Sequence, residues 1–195
     1  ILSGNGTVTY DGTDQTVFGD LYYSLTAGGG SGTKTLGGAV TVSGDLTIDP
    51  VVTIAMGAND LTVTGVTVID GVLAVADNIM TLDGASDIGG TITISTGTVD
   101  ANGAFDATGG TITFSGAGDL TLASTVTDLG TLSGDGTVTY DGAGDQGIVE
   151  YNYYNLTAGG GGIKTLGGDV TVANDLTIDP VVTIAMDTHD LTVTN

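Results

Sequence analysis

Aspartate supplies nearly all of the side chains in this sequence that could do chemistry. The chain has 23 acidic residues, of which only Glu150 is a glutamate, against two lysines, one histidine and no arginine. Five aspartates come directly before a Leu-Thr pair, generally after Gly or Asn: Asp45, Asp60, Asp119, Asp175 and Asp190. If a coiled fold brought them to one corner, their oxygens would form a column that suits Ca²⁺, which takes about six to eight oxygen ligands.

The same aspartates also have a purely structural interpretation. An aspartate at a turn accepts backbone N–H bonds without any metal. The Gly-Gly-x-Gly-x-Asp nonapeptide of calcium-binding β-rolls is absent. The sequence therefore leaves calcium as a hypothesis beside the turn interpretation, and it predicts no other cofactor.

Catalysis is disfavoured by the residue types that are missing. Paired carboxylates such as Asp141 and Asp145 could serve glycoside hydrolysis, although solvated turn residues would look the same. His189 has no recurring serine partner, and Asn59 stands at the corresponding position of an earlier segment, so a nucleophilic triad is excluded. Cations that stabilise an anionic transition state are scarce. We expect a protein that is not an enzyme.

Tyrosine is the other residue type with binding potential. Tyrosine combines a large contact area with a polar end, so a cluster of them could stack on sugar rings or on a neighbouring subunit. The same cluster could equally cover the coil beneath a loop. Five of the seven tyrosines lie near the glycine runs 28–30 and 159–162: Tyr22, Tyr23, Tyr151, Tyr153 and Tyr154.

The charge excludes two classes of partner. A net charge of −21 repels nucleic acid and anionic membrane surfaces, because binding to either needs lysine or arginine. No apolar run of eighteen residues occurs, so we expect no membrane insertion. Thr-x-Thr pairs recur, as in ice-binding β-helices, but not at a constant interval, and outward threonine is what any solvated strand prefers.

A long internal repeat organises the chain. Residues 132–195 restate residues 2–65 at an offset of 130 positions, and the segment DLTIDPVVTIAM is identical in both copies. A compensating insertion and deletion fall in the tyrosine and glycine segment, which indicates a loop there. We therefore predict that residues 1–195 form one continuous unit containing about one and a half copies of a 130-residue repeat.

Short alternating segments predict the fold class. Thr or Asp alternates with Val, Ile or Leu over four or five residues, and Gly, Asn and Asp break the pattern between these strands. A weaker period of about twenty residues predicts an all-β parallel β-helix, a β-solenoid with three short strands per coil. Two Ig-like sandwiches are the alternative, but these need larger core residues. The inward residues are expected to be Val8, Ile92, Ile112, Val138 and the valines of the VTV segments at 40–42 and 66–68.

The segments TVTYDG, YYNLTAGGGGIKTLGGDVTVANDLTI and YYSLTAGGGSGTKTLGGAVTVSGDLTI resemble bacterial surface and secreted proteins built from β-strand repeats. These include filamentous-haemagglutinin-type adhesins and autotransporter passenger domains. The resemblance implies a right-handed β-helix that is exported and used as a stalk, adhesin or fibre. It brings no catalytic residues with it.

The sequence as a whole predicts an extracellular or cell-surface structural protein. Both ends fall in mid-pattern without the polar caps that solenoids need, so we expect either a longer array or a homopolymer that stacks head to tail. The alternative is an adhesin module that binds glycans through the tyrosine cluster.

Overall fold

The computed structural model describes residues 4–194 and confirms the predicted fold class. The chain is an all-β parallel solenoid of about ten turns, with stacked strands about 19 residues apart. The outermost residues of the predicted copies, Leu2, Ser3 and Asn195, lie outside the described range. Within residues 4–194 there is no helix long and apolar enough to cross a membrane.

Each strand is short because glycine or a polar turn residue follows every three to five residues of the alternating pattern. The first ten strands are β1 (Thr7–Tyr10), β2 (Gln15–Val17), β3 (Leu21–Tyr22), β4 (Ser24–Ala27), β5 (Gly32–Leu36), β6 (Val40–Val42), β7 (Leu46–Ile48), β8 (Val52–Ala55), β9 (Leu61–Val63) and β10 (Thr67–Ile69). The next ten are β11 (Val72–Val75), β12 (Ile79–Leu82), β13 (Ser86–Ile88), β14 (Thr91–Ile94), β15 (Thr98–Ala101), β16 (Phe105–Asp106), β17 (Thr111–Phe114), β18 (Asp119–Leu122), β19 (Val126–Asp128) and β20 (Thr131–Ser133). The last nine are β21 (Thr137–Tyr140), β22 (Gln146–Ile148), β23 (Asn152–Tyr153), β24 (Asn155–Ala158), β25 (Ile163–Leu166), β26 (Val170–Val172), β27 (Leu176–Ile178), β28 (Thr183–Ala185) and β29 (Leu191–Val193).

Every coil contributes one strand to each of three faces. The first face runs β1-β4-β7-β10-β13-β16-β19 and resumes as β22-β25-β28. The second face runs β2-β5-β8-β11-β14-β17-β20 and resumes as β23-β26-β29. The third face is one uninterrupted sheet of nine parallel strands, from β3 to β27. The solenoid is therefore continuous along one face and interrupted on the other two.

The interior is a set of aliphatic columns held in register. Ile54, Leu73, Ile92 and Ile112 occupy equivalent positions in successive strands, and all four are fully buried. The predicted inward positions of Ile92, Ile112, Val138, Val40 and Val42 are confirmed. Val8 is half-buried and packs against the same core.

The prediction for the VTV segment at 66–68 is wrong. Val66 is 46% exposed, whereas Thr67 is fully buried. Thr67 is in register with the buried Leu46 below it and with Ser86 above it, and this register also places Ile69 inside. A one-residue shift turns every side chain of a strand to the other face, so burying Ile69 fixes Thr67 inside as well.

A column of glycines forms one corner of the solenoid. A Cβ atom added to Gly84 would lie 2.1 Å from the carbonyl oxygen of Gly65, and one added to Gly103 would lie 2.1 Å from that of Gly84. Successive coils approach here through their backbones alone, so only glycine fits.

The 130-residue repeat does not contain a whole number of coils. Twenty strands separate β1 from its counterpart β21, which at three strands per coil is six coils and two further strands. As a result β1 lies on the first face, whereas β21 pairs with β18 on the third face. The second copy is thus turned by one third of a coil around the axis relative to the first.

Candidate functional site

The predicted column of aspartates is not formed. Asp45 precedes β7 on the first face and Asp190 precedes β29 on the second, whereas Asp60, Asp119 and Asp175 lie at β9, β18 and β27 of the third face. β18 lies three coils, about 14 Å along the axis, from each of the other two strands. The prediction is wrong because the repeat turns by one third of a coil, so equivalent positions reach different faces.

Two of these aspartates have the turn role instead. An Asp45 carboxylate oxygen accepts the N–H of Val66 at 2.9 Å, and one from Asp60 accepts the N–H of Ile79 at 3.0 Å. No group of three or more His, Asp or Glu side chains that could hold a metal ion occurs in the described part of the chain. The aspartates thus link successive coils at the corners.

The prediction that the tyrosine segment is a loop is also wrong. Tyr22 ends β3 and Tyr153 ends β23, and both side chains are 1% exposed. Only Tyr23 and Tyr154, the residues that follow them, point outward, at 44% and 37% exposure. Side chains alternate across a strand, so adjacent tyrosines take opposite sides.

Two tyrosines close a ring of hydrogen bonds in each copy; Tyr10 of the first ring is half-buried and the other three are buried. In the first copy the Phe18 N–H donates to Tyr10 Oη at 3.3 Å, and Tyr22 Oη donates to the Phe18 carbonyl at 2.8 Å. The two phenol oxygens are 2.9 Å apart. Because each phenol has one proton, Tyr10 must donate to Tyr22. The ring therefore gives a hydrogen-bond partner to both the N–H and the carbonyl of Phe18, which lies at a corner of the solenoid.

The second copy repeats this ring with Val149, Tyr140 and Tyr153. The Val149 N–H donates to Tyr140 at 3.3 Å, the two phenol oxygens are 2.9 Å apart, and Tyr153 donates to the Val149 carbonyl at 2.8 Å. The two aromatic rings meet edge to face at 6.3 Å. The same hydrogen bonds form in both copies although the copies are turned relative to each other around the axis. The ring is therefore a property of the repeat.

Both lysines of the chain are fully buried. Lys164 Nζ donates to the carbonyls of Gly142 and Gly144 at 2.7 and 3.1 Å, and Lys34 Nζ donates to those of Gly12 and Thr13. Each lysine therefore fastens the loop of the coil beneath it. Burial lowers the pKa of Lys164, and the nearby Asp141 and Asp145 oppose this shift. In the sequence, the KTL segment present in both copies is the one feature that marks these two lysines as equivalent.

The second copy begins where two faces are interrupted. Within residues 4–194, no ladder joins β19 to β22 on the first face or β20 to β23 on the second. On the third face β21 and β24 remain paired. The two coils therefore diverge as a wedge that is closed on one face and open on the other two.

Two side chains cross this wedge in place of the backbone ladder. Gln146 Nε2 donates to the carbonyls of Leu122 and Ser124, both at 2.7 Å. Tyr151 Oη accepts the Leu132 N–H at 2.7 Å and donates to the Gly130 carbonyl at 3.1 Å. In the first copy Asp20 stands at the position of Tyr151, so this bridge belongs to the junction between copies.

The open part of the wedge is an elongated acidic cleft. One section has a volume of about 440 Å³ between residues 127–130 of the lower coil and residues 149–151 of the upper coil. Asp128, Asp145, Glu150 and Asp169 lie along its walls. Both lysines are buried, so neither presents an exposed positive charge in the cleft. The half-buried His189 Nδ1 lies 3.8 Å from a carboxylate oxygen of Asp169.

Comparison of the chain with models of protein families, with curated proteins and with solved structures finds no match. The candidate site therefore rests on the structure alone. It is the acidic cleft between the copies, which the side chains of Gln146 and Tyr151 bridge.

Removing the Tyr151 hydroxyl tests the bridge across the wedge. Tyr151→Phe leaves the Leu132 N–H and the Gly130 carbonyl without this partner, and we expect a loss of about 1–2 kcal/mol in the free energy of unfolding. Urea denaturation measures the loss, and hydrogen exchange should be faster at the Leu132 amide. Tyr154→Phe, at an exposed tyrosine, is the matched control and should change stability by less than about 0.5 kcal/mol. Unchanged stability and unchanged Leu132 exchange would contradict the bridge.

The buried tyrosines make stability fall at alkaline pH. Burial raises the pKa of Tyr140 to about 12 and raises the pKa of Tyr22 and Tyr153 as well. An unfolded tyrosine ionises near pH ~10, so this contribution is complete below that pH and is lost as the pH rises towards 12. We expect the urea midpoint to decrease above pH ~10, with a shallower decrease in Tyr140→Phe. If all tyrosines ionised together while the protein stayed folded, the buried rings would be disproved.

Proposed function

We propose that this protein is an extracellular structural repeat protein that forms a stiff, acidic stalk or fibre element. The observation that carries the proposal is the third face, where nine parallel strands follow one another without interruption. Each coil is hydrogen-bonded to the next and covers the same aliphatic column, so bending the rod would open ladders on one side. About ten coils at a strand spacing of ~4.8 Å give a rod on the order of 45 Å long.

The charge and the scarcity of protease sites on the surface support an extracellular location. A charge of −21 keeps neighbouring rods apart and soluble. Trypsin cleaves after lysine and arginine, and the only two such residues, Lys34 and Lys164, are buried. The chain uses no disulfide, because cysteine is absent. The likeness to filamentous-haemagglutinin-type and autotransporter-passenger β-strand repeats supports the same proposal.

The proposal includes growth along the axis. Ile178, Met186 and Val193 are between 42% and 46% exposed in the last described coil, whereas their counterparts Ile48, Met56 and Val63, which a further coil covers, are fully buried. A further coil would cover these three side chains in the same way. A second copy stacked head to tail would supply that coil by a contact that does not close, which generates a filament. More of the same repeat in one chain would supply it equally and would lengthen a stalk.

Electron microscopy with a matched pair of variants tests the structural proposal. We expect narrow rods whose length grows with protein concentration. Ile178→Asp, which adds a charge to the last coil, should shorten the rods, because end stacking buries that side chain. Ile79→Asp is the control, since Ile79 is similarly exposed at 51% but lies in the middle of the solenoid. Wide, compact particles, or equal shortening by both variants, would contradict the proposal.

A second candidate function, glycan adhesion, now rests on two residues. Tyr23 and Tyr154 are the members of the cluster that point outward, and each comes directly after a buried tyrosine in the chain. Binding of the Tyr23→Ala/Tyr154→Ala variant to a glycan array tests this candidate, with Tyr151→Phe as a control. Equal binding by the parent and the double variant would remove it.

A further inference from the structure

We infer that the cleft on the first face between β19 and β22 is a docking slot for an extended, lysine- or arginine-bearing peptide of a partner protein, which binds by strand addition. This inference goes beyond the proposed structural role, because it assigns an interaction surface to the junction between copies.

The walls of the slot are two strand edges that face each other. In a parallel sheet the backbone groups of each strand point alternately to both neighbours. β19 pairs below with β16 and β22 pairs above with β25, but within residues 4–194 neither has a strand partner on the side of the slot. Edges of this kind recruit extended peptides through main-chain hydrogen bonds.

The gap next to the slot is wider than an ordinary strand spacing. The Leu132 N–H of β20 donates to Tyr151 Oη at 2.7 Å, so a side chain stands where an unbroken ladder would have a backbone carbonyl. The backbones of the two coils are therefore farther apart here than the ~4.8 Å of paired strands, which leaves room for an added strand.

The length of the slot limits the peptide to a short segment. β19 and β22 have three residues each. Gln146 bridges the coils at one end of these strands and Tyr151 at the other. The occupant therefore contributes about three to five residues in extended conformation, a span of roughly 10–17 Å.

Charge decides which kind of peptide fits. Asp128, Asp145 and Glu150 lie at the slot, and all three are exposed. A cationic peptide gains attraction from them and is steered to the site. A second copy of this chain is unsuitable, because it carries −21 and both of its lysines are buried.

Binding of three labelled peptides to the whole chain tests the inference. The probe is a fluorescein-labelled Lys-Thr-Val-Thr-Lys peptide, compared with the same peptide methylated at alternate backbone nitrogens and with a glutamate-for-lysine version. We expect fluorescence anisotropy to show binding of the first peptide alone, weakened by salt. Hydrogen exchange should slow at residues 126–128 and 146–148 when this peptide is bound.

Matched charge variants locate the binding. Glu150→Gln should weaken binding of the cationic peptide by about two- to fivefold, the usual effect of one exposed ion pair. Asp87→Asn is the control, because Asp87 is an exposed aspartate of β13 on the same face, where the ladder is unbroken. Equal binding of the methylated or the glutamate peptide would overturn the inference. So would protection that appears at residues 176–178 of the last coil instead of the slot.

Discussion

The hydrogen-bond ladder between successive coils is the interaction on which the rest of the structure depends. It requires the chain to return to the same place about every 19 residues, and it sets which side chains face inward. The interior that results is filled mainly by Val, Ile and Leu in stacked rows. Where the ladder passes a corner, backbones meet directly and glycine is needed, as at Gly84 and Gly103.

The mismatch between coil and repeat explains the most distinctive features of the molecule. Since a 130-residue repeat spans six coils and two strands, successive copies advance by about 32 Å and turn by one third of a coil. The tyrosine ring and buried lysine of each copy therefore face a new direction. At the junction, β21 joins the third face while the other two faces lose their ladders, and Gln146 and Tyr151 bridge the opening.

The strands, the parallel winding and most inward residues could be predicted from the sequence, because they follow from alternation and from the period of about twenty. Local patterns could not decide between Val66 and Thr67, since both fit a strand and the register comes from neighbouring coils. The aspartate column failed for a related reason. Aspartates at equivalent positions of the repeat were expected at one corner of the solenoid. The twenty strands of a repeat do not divide by three strands per coil, so equivalent positions reach different corners.

The tyrosines and lysines show a different limit of sequence reasoning. Lysine is usually exposed and tyrosine is intermediate in burial, so their types alone do not predict a buried position. The three-dimensional path brings Lys164 to the carbonyls of Gly142 and Gly144. The acidic cleft was likewise invisible, because it consists of missing hydrogen bonds and not of a motif. What the repeat did reveal was that these residues belong together, since lysine and tyrosine recur in both copies.

Disulfide cross-linking tests the winding of the two copies most directly, because the chain has no cysteine of its own. Thr121 and Thr139 are paired across β18 and β21, so Thr121→Cys/Thr139→Cys should form an intramolecular disulfide on oxidation. Thr127→Cys/Thr139→Cys should not, since β19 and β21 lie on different faces. The opposite result, a disulfide in the second pair and none in the first, would mean that the repeat contains whole coils and would contradict the structure described above.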